Sequence, residues 1–322
     1  MLTSVRLTLK QHRFEVGAAV LGALVLGALA LVVDSRLRAI NVPAGCFEAW
    51  MSGGGADGAG DCSGPVQAFA TINEEEAGKL LAAMAVLPFV VGLLAGVPIV
   101  GRELESRTAQ TAWSLSGSRL RWLLRQLAPI VILVGVAITF AAFAASVLEA
   151  TREPWYHSGF SDVALHGPPV IARAFGALGL GLLIGASLGR TLPAFIVGAI
   201  LSLMLVYVAG AARYSWLDMQ DPVIIGDSSV GQPADFHGLI TAQVWLTPQG
   251  TQLGWDEVTA RVPAGVSEPD GWLYDNGYKL IDLGLNEEVL LGWAQYEVLI
   301  FGLVGFASLA AGIVVVNRRR PT

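Results

Sequence analysis

The chain has 322 residues, of which 54% are hydrophobic and only 14% are charged. Soluble proteins carry about 25% charged residues, so this composition excludes an ordinary soluble protein and indicates one embedded in a membrane. The net charge of -6 at pH 7 gives no basis for binding nucleic acid, which requires a basic surface.

Six apolar windows reach or approach the length of about 20 residues that a helix needs to cross a bilayer. The fourth and fifth windows together are too long to be a single interrupted span. We therefore expect two spans joined as a tight helical hairpin. The predicted fold class is an all-α polytopic membrane protein with six transmembrane helices and a small mixed extracellular cap. The windows are residues 14–33, 80–100, 127–148, 170–188, 194–212 and 293–316.

Arginine and lysine are concentrated on one side of these windows, and most acidic residues lie on the other. The positive-inside rule makes the basic side cytoplasmic, which predicts a multi-pass protein of the plasma membrane with both termini in the cytoplasm. The cytoplasmic segments are then 1–13, 101–126, the hairpin at Arg190 and the tail 317–322. The outer segments are 34–79, 149–169 and 213–292.

Residues 1–13 place apolar side chains on one helical stripe and cations on another. This pattern predicts an interfacial helix on the inner leaflet, with its cations toward anionic lipid headgroups. Alternatively, the same cations could contact a cytoplasmic partner. The window that follows is too long for a signal peptide and lacks a clean cleavage site, so we expect a retained span.

The outer loop 34–79 contains the only two cysteines, Cys46 and Cys62. An isolated pair on the outer side predicts a disulfide, and the loop offers too few other ligands for a metal. Toward its end the loop contains the segment 71–76, in which three glutamates follow Asn73. This segment indicates the start of a helix with acids in its first turn.

The basic loop 101–126 begins with a charged segment that predicts an amphipathic helix over residues 102–113. One face, with Leu104, would contact the bundle, whereas Glu103 and Arg107 would face the cytoplasm. An i,i+4 pair of that kind contributes only about 0.3 kcal/mol, which is too little to explain so many charges. A solvated positive-inside loop is the alternative, and it explains Arg119 to Arg125 better than it explains the helix.

Glycines recur every four residues in the fourth window, at Gly181, Gly185 and Gly189, and Gly92 and Gly96 repeat this spacing in the second. Small residues at that spacing let helices approach closely. Packing within one chain is the favoured interpretation, and a dimer seam is the alternative.

The segment 213–292 is rich in Asp, Pro, Gly and Trp and predicts a small cap. Leu239 to Leu246 is typical of a strand, while 258–262 and 272–280 suit either strands or short helices. Beyond the cap, Glu297 lies about one turn inside the sixth window. A carboxylate at membrane depth is a functional candidate, unless it is solvated near the headgroups or paired with an arginine.

The chain contains no phosphate-binding G-x-x-x-x-G-K-[ST] sequence, no H-E-x-x-H sequence and no Cys/His group with metal-ligand spacing. Hydrolysis of a nucleotide by a phosphate loop is therefore excluded for this chain. Neither catalytic residues nor a metal site are predicted.

The chain resembles the permease subunits of actinobacterial type-2 ABC exporters over most of its length. The resemblance is strongest from Gly101 to Ser106 and at Thr108, Trp113 and Ser114. It departs at Arg107, where the family commonly has glycine. The other matching segments are 10–14, the outer cysteine pair, 118–123, 190–194, Gln295 with Glu297, and 318–320.

The resemblance implies a dimer of permeases, here expected to be a homodimer, and cytoplasmic ABC ATPase subunits on a separate chain. ATP and Mg²⁺ would bind to those ATPases, and the permease itself would hold no cofactor. Family substrates are drugs, antibiotics, lipids or polymers, and the apolar spans favour a lipophilic one. A coupling helix in the first cytoplasmic loop would dock the ATPase through Arg102, Glu103, Glu105, Ser106, Arg107 and Thr108.

Two other classes of protein compete with an exporter subunit. A membrane sensor or immunity protein would bind a ligand through its outer cap and signal without transport. A membrane-embedded enzyme is disfavoured by the missing catalytic sequences. A phosphate-loop ATPase encoded beside this chain would favour transport, whereas a histidine kinase alone would favour sensing.

Overall fold

The computed structural model describes residues 10–43, 45–49, 62–109, 111, 113, 118–152, 167–227, 238–263, 266 and 269–319. Six helices in these segments are long and apolar enough to cross a membrane, which confirms the predicted fold class. They are α1 (Arg13–Ala39), α2 (Ser63–Glu105), α3 (Arg119–Arg152), α4 (Pro168–Leu188), α5 (Thr191–Leu217) and α6 (Glu287–Arg318). The predicted interfacial helix 1–13 lies almost entirely outside the described residues.

The second helix differs most from its apolar window, because it begins at Ser63 instead of residue 80. The expected helix start near Thr71 is wrong, since this segment lies inside α2. A π-helical turn at Asn73–Ala77 interrupts the α-helix there. Asn73 is fully buried and accepts a hydrogen bond from the guanidinium of Arg152 on α3. The polar contact explains why a helix continues through a sequence that is not apolar.

The fourth helix lies between α2 and α6, and glycines make both contacts close. A Cβ atom added at Gly96 would lie 2.3 Å from the Leu178 carbonyl oxygen, and one added at Gly185 would lie 2.5 Å from that of Val97. On the opposite side, Gly179 meets Gly305 of α6. These glycines therefore pack helices within one chain, as small residues do in membranes.

Gly189 does not pack between helices as Gly185 does, although the four-residue spacing predicted that it would. It ends α4 with a φ of 63°, in the left-handed region that glycine adopts without steric cost. The guanidinium of Arg319 packs where a side chain at this position would lie. The role of Gly189 is thus to terminate α4 and open the hairpin to α5.

The cap contains a four-stranded antiparallel sheet in the order β1-β4-β2-β3. Its strands are β1 (Val223–Asp227), β2 (Gly238–Leu246), β3 (Gln252–Leu253) and β4 (Lys279–Asn286). Two short helices, Trp255–Thr259 and Pro269–Asp275, cover one face. Their Val258 and Leu273 pack against Trp245 of β2 in a small core. The cap is joined directly to α6, because β4 ends where α6 begins.

The two cysteines are bonded to each other, with Cα atoms 5.3 Å apart. Cys46 begins a short helix at Cys46–Ala49, and Cys62 immediately precedes α2. The bond closes a loop whose glycine-rich part lies outside the described residues. In the chain-entropy treatment, a loop of this length contributes about 3 kcal/mol of stabilisation.

Candidate functional sites

The basic loop does not form one helix over 102–113. α2 ends at Glu105, and a turn follows. The Ser106 hydroxyl donates to the carbonyl of Arg102 at 2.8 Å, which satisfies a carbonyl at the helix end. The prediction failed because serine and threonine compete for helical backbone partners and favour turns.

The turn places Arg107 at a φ of 61°, in the left-handed region. An L-residue with a side chain is strained there by roughly 1–2 kcal/mol relative to a right-handed conformation. Glycine carries no such cost, which gives a physical reason for glycine at this position in the resembling permeases. The Arg107 side chain is exposed.

Glu103 is buried, with 4% of its surface exposed, so the prediction that it faces the cytoplasm is wrong. Its carboxylate accepts hydrogen bonds from the Gln11 amide and the Thr108 hydroxyl. The expected i,i+4 partner, Arg107, is not among these contacts. Glu103 therefore holds the turn against the segment that leads into α1.

Arg102 reinforces the same junction. Its guanidinium lies 2.9 Å from the Glu15 carboxylate and also donates to the carbonyl of Gln11. His12 beside them is buried, and neither ring nitrogen has a hydrogen-bond partner within the described residues. Burial lowers the pKa of His12 even though Glu15 and Glu103 act to raise it. A neutral imidazole therefore completes this contact between α1 and α2.

Glu105 ties the end of α2 to the start of α5. Its carboxylate accepts hydrogen bonds from the backbone N–H and the hydroxyl of Thr191, at 2.9 and 2.5 Å. An anion at a helix N-terminus is stabilised by unsatisfied N–H groups and by the helix dipole. The end of α2 is thus hydrogen-bonded to the beginnings of two other spans.

Arginines on the same side cap the C-terminal ends of helices. Arg119 donates to the carbonyls of Val316, Asn317 and Arg319 at 2.7–2.9 Å, and its guanidinium stacks on Trp113. Arg319 in turn donates to carbonyls at the end of α4. Cations at helix C-termini satisfy the last carbonyls. Arg119 is therefore a helix cap and more than a solvated charge.

Only part of the predicted docking set is left available to a partner. The exposed members of the predicted docking set are Arg102, Glu105, Ser106, Arg107 and Thr108. Arg102 and Glu105 already make contacts within the chain. The turn Ser106–Thr108 is therefore the exposed centre of this surface, and Glu103 positions it from beneath.

A second candidate site surrounds Glu297, which is 1% exposed in the interior of the bundle. Arg173 of α4 approaches Glu297 Oε1 at 2.5 Å, and Arg213 of α5 approaches Oε2 at 3.3 Å. The solvated alternative is therefore excluded, and the carboxylate is paired with two arginines. Neither arginine was predicted as a site residue.

The three charged side chains line a cavity of about 500 Å³ between α2, α5 and α6, which Arg173 of α4 also reaches. Apolar side chains form most of its walls, among them Phe89, Leu93, Val206 and Phe301. Ser202 of α5 adds a buried hydroxyl. Within the described residues, no group of three or more His, Cys, Asp or Glu side chains could hold a metal ion. The cavity therefore offers charge and apolar surface to a ligand.

Comparison with known protein families decides the class of this six-helix architecture. A family model described as ABC-2 membrane transporter related matches residues 16–213, from α1 to Arg213. The chain belongs to this family. The ABC-2 permease match includes the basic loop and both arginines, and it ends before the cap and Glu297. Neither a curated protein nor a solved structure shows a significant match to the chain.

Family membership makes the chain a multi-pass transmembrane permease and implies association with an ABC ATPase. The resemblance found in the sequence is therefore confirmed at the level of an ABC-2 type permease. Since the matched region contains five of the six spans, the family assignment covers the surfaces that join α2 to α1 and α5.

Proposed function

We propose that this ABC-2 permease is the membrane subunit of an ATP-driven exporter that moves a lipophilic drug, antibiotic or lipid-like substrate. ATP and Mg²⁺ would bind to ATPase subunits on another chain. The observation that carries the proposal is the turn at the end of α2. Ser106, Arg107 and Thr108 of this turn are exposed. The neighbouring Glu103 and Glu105 accept hydrogen bonds from Gln11, just before α1, and from Thr191 at the start of α5.

These contacts supply a route from the cytoplasmic surface into the bundle. A partner that displaced the turn would move the end of α2, and the hydrogen bonds of its two glutamates would carry the displacement to α1 and α5. Both α2 and α5 line the cavity beside Glu297. The turn would therefore be the coupling element, with Arg102, Ser106, Arg107 and Thr108 toward the ATPase and Glu103 and Glu105 toward the bundle.

The orientation is part of the proposal, with the turn and both termini in the cytoplasm. Ser106→Cys, in a variant with the native cysteines replaced by serine, should react with a membrane-impermeant maleimide only after the cells are opened. Asp256→Cys in the cap, which is also exposed, should react in intact cells. Labelling of position 106 in intact cells would reverse the topology and remove the basis for docking.

The partner is tested by co-expression with the ABC ATPase encoded beside the permease gene. We expect the ATPase to co-purify with the tagged permease in neutral detergent and to hydrolyse ATP at a rate that the permease changes. An unrelated six-span protein purified in parallel supplies the control. Absence of both association and an effect on hydrolysis would favour the sensor alternative. We expect the complex to contain two permease copies, which its mass in the same preparation would determine.

A further inference from the structure

The cavity between α2, α5 and α6 is lined by charged side chains on the side of the cap, where α4 begins and α5 ends, and by apolar side chains further from the cap. Its volume of about 500 Å³ lies within the roughly 300–1,000 Å³ of sites for small molecules. Phe89, Leu93 and Val206 provide apolar walls, while Arg173 and Arg213 line the part nearer the cap. A purely polar solute would leave the walls without an apolar partner, and a plain hydrocarbon would desolvate the guanidinium groups. A cavity with both apolar walls and guanidinium groups therefore suits an amphiphile.

The charged side chains nearer the cap determine which head group fits. Among the described residues that line the cavity, two guanidinium groups face one carboxylate. Glu297 is held by both arginines, so a cationic head group would have to compete with them for it and would be repelled by both. An anionic head group would instead add acceptors beside guanidinium groups, each of which has five N–H donors. Such contacts are strong where water is excluded.

The cavity is accessible from the side of the bundle. Val86 and Val90 of α2 and Leu203 and Tyr214 of α5 line it and are also exposed on the lateral surface. An amphiphile dissolved in the bilayer could therefore reach the cavity without crossing the aqueous phase.

We propose that this cavity binds an amphiphile with a single anionic head group, a carboxylate or a phosphate. The head group lies against Arg213 and Arg173, and the apolar body lies along α2 and α5. Only the description of this ligand as a substrate rests on the proposed exporter function, because binding itself requires no ATPase.

The test is equilibrium binding of radiolabelled hexadecanoate to the purified permease in neutral detergent, without an ATPase. We expect saturable binding that unlabelled hexadecanoate displaces, whereas hexadecanol and hexadecyltrimethylammonium displace it at least tenfold less well. Arg213→Gln should weaken binding more than tenfold, and Arg213→Lys should retain part of the affinity. Arg125→Gln, an exposed arginine outside the cavity, should leave binding unchanged.

A second pair of variants tests the cavity without changing a charge. Ala209→Phe places a ring inside the cavity and should abolish binding. Ala307→Phe adds the same ring at an exposed position on α6 and should have no effect. If Arg213→Gln does not fold, this pair and the wild-type competition decide the outcome.

The two sources of such an anion are distinguished in nanodiscs. Displacement of hexadecanoate by phosphatidylglycerol, but not by phosphatidylcholine, identifies the ligand as an anionic phospholipid. Displacement by neither identifies a single-chain acid, and both outcomes support the proposal. Equal affinity for hexadecanol and hexadecanoate, or unchanged binding to a folded Arg213→Gln variant, would overturn it. Because the ATPase is absent, that failure would leave the co-purification test of the exporter function unaffected.

Discussion

Replacing Glu297 with glutamine is expected to destabilise the permease by about 3–5 kcal/mol, the cost of removing one partner from a buried ion pair. The variant leaves Arg173 and Arg213 close together without the carboxylate that lies between them. The two guanidinium groups then repel each other in a place where little water screens their charges. Thermal unfolding in neutral detergent, followed by the fraction of monodisperse protein, measures the loss.

Glu288→Gln is the matched control, since Glu288 is exposed near the start of the same helix. It should unfold within about 0.5 kcal/mol of the wild type, as surface substitutions usually do. Glu297→Asp keeps the charge and should lie between the two. If Glu297→Gln were as stable as Glu288→Gln, the ion cluster would not support the packing of α4, α5 and α6.

The second large effect is expected at the contact between α2 and α4. Gly96→Val should prevent close approach of these helices, because even a Cβ atom at this position would lie 2.3 Å from the Leu178 carbonyl oxygen. Overpacking typically costs about 1–3 kcal/mol and sometimes more, and here the obstacle is backbone that cannot rotate away. We expect Gly96→Ala to be destabilised and Gly96→Val to yield little folded protein.

The control for this pair is Gly135→Ala in α3, where an added Cβ atom has open space around it. Alanine is favoured over glycine in a helix by roughly 0.5–1 kcal/mol, so this variant should be at least as stable as the wild type. The readout is again thermal unfolding in detergent, together with the yield of monodisperse protein. Wild-type stability of Gly96→Ala would mean that α2 and α4 do not meet at this glycine.

The spans and the β2 strand could be predicted because each follows a local pattern. A helix that crosses a bilayer requires a long apolar run, and Leu239 to Leu246 has the composition of a strand. The extension of α2 back to Ser63 could not be predicted in this way. It depends on Asn73, whose hydrogen-bond partner Arg152 lies 79 residues away in the sequence.

The candidate sites were predicted only in part, for the same reason. Glu297 was found because a carboxylate at membrane depth is unusual. Arg173 is likewise a charged residue inside the fourth apolar window, so the same reasoning applied to cations would have identified it. Arg213 lies just beyond the fifth window and gives a weaker signal. Nothing local distinguished buried Glu103 from exposed Glu105, since their environments are set by Gln11 and Thr191 on other helices.

Charge reversal at Arg107 tests whether this turn docks a separate ATPase. Glu103 and Glu105 are unsuitable for this purpose, because both hold the bundle together. Arg107 is exposed, and no ion pair joins it to another described residue. Arg107→Gly retains the left-handed turn and removes the charge, whereas Arg107→Glu reverses it. Arg125→Glu is the matched control, an exposed arginine near the start of α3.

The decisive measurement is the affinity of the co-expressed ATPase for each purified permease variant, together with the rate of ATP hydrolysis by the complex. We expect Arg107→Glu to weaken association more than about tenfold, since a like-charge contact costs several kcal/mol. Arg107→Gly should have a smaller effect, and Arg125→Glu should match the wild type. Wild-type affinity and hydrolysis for a folded Arg107→Glu variant would contradict docking at this turn.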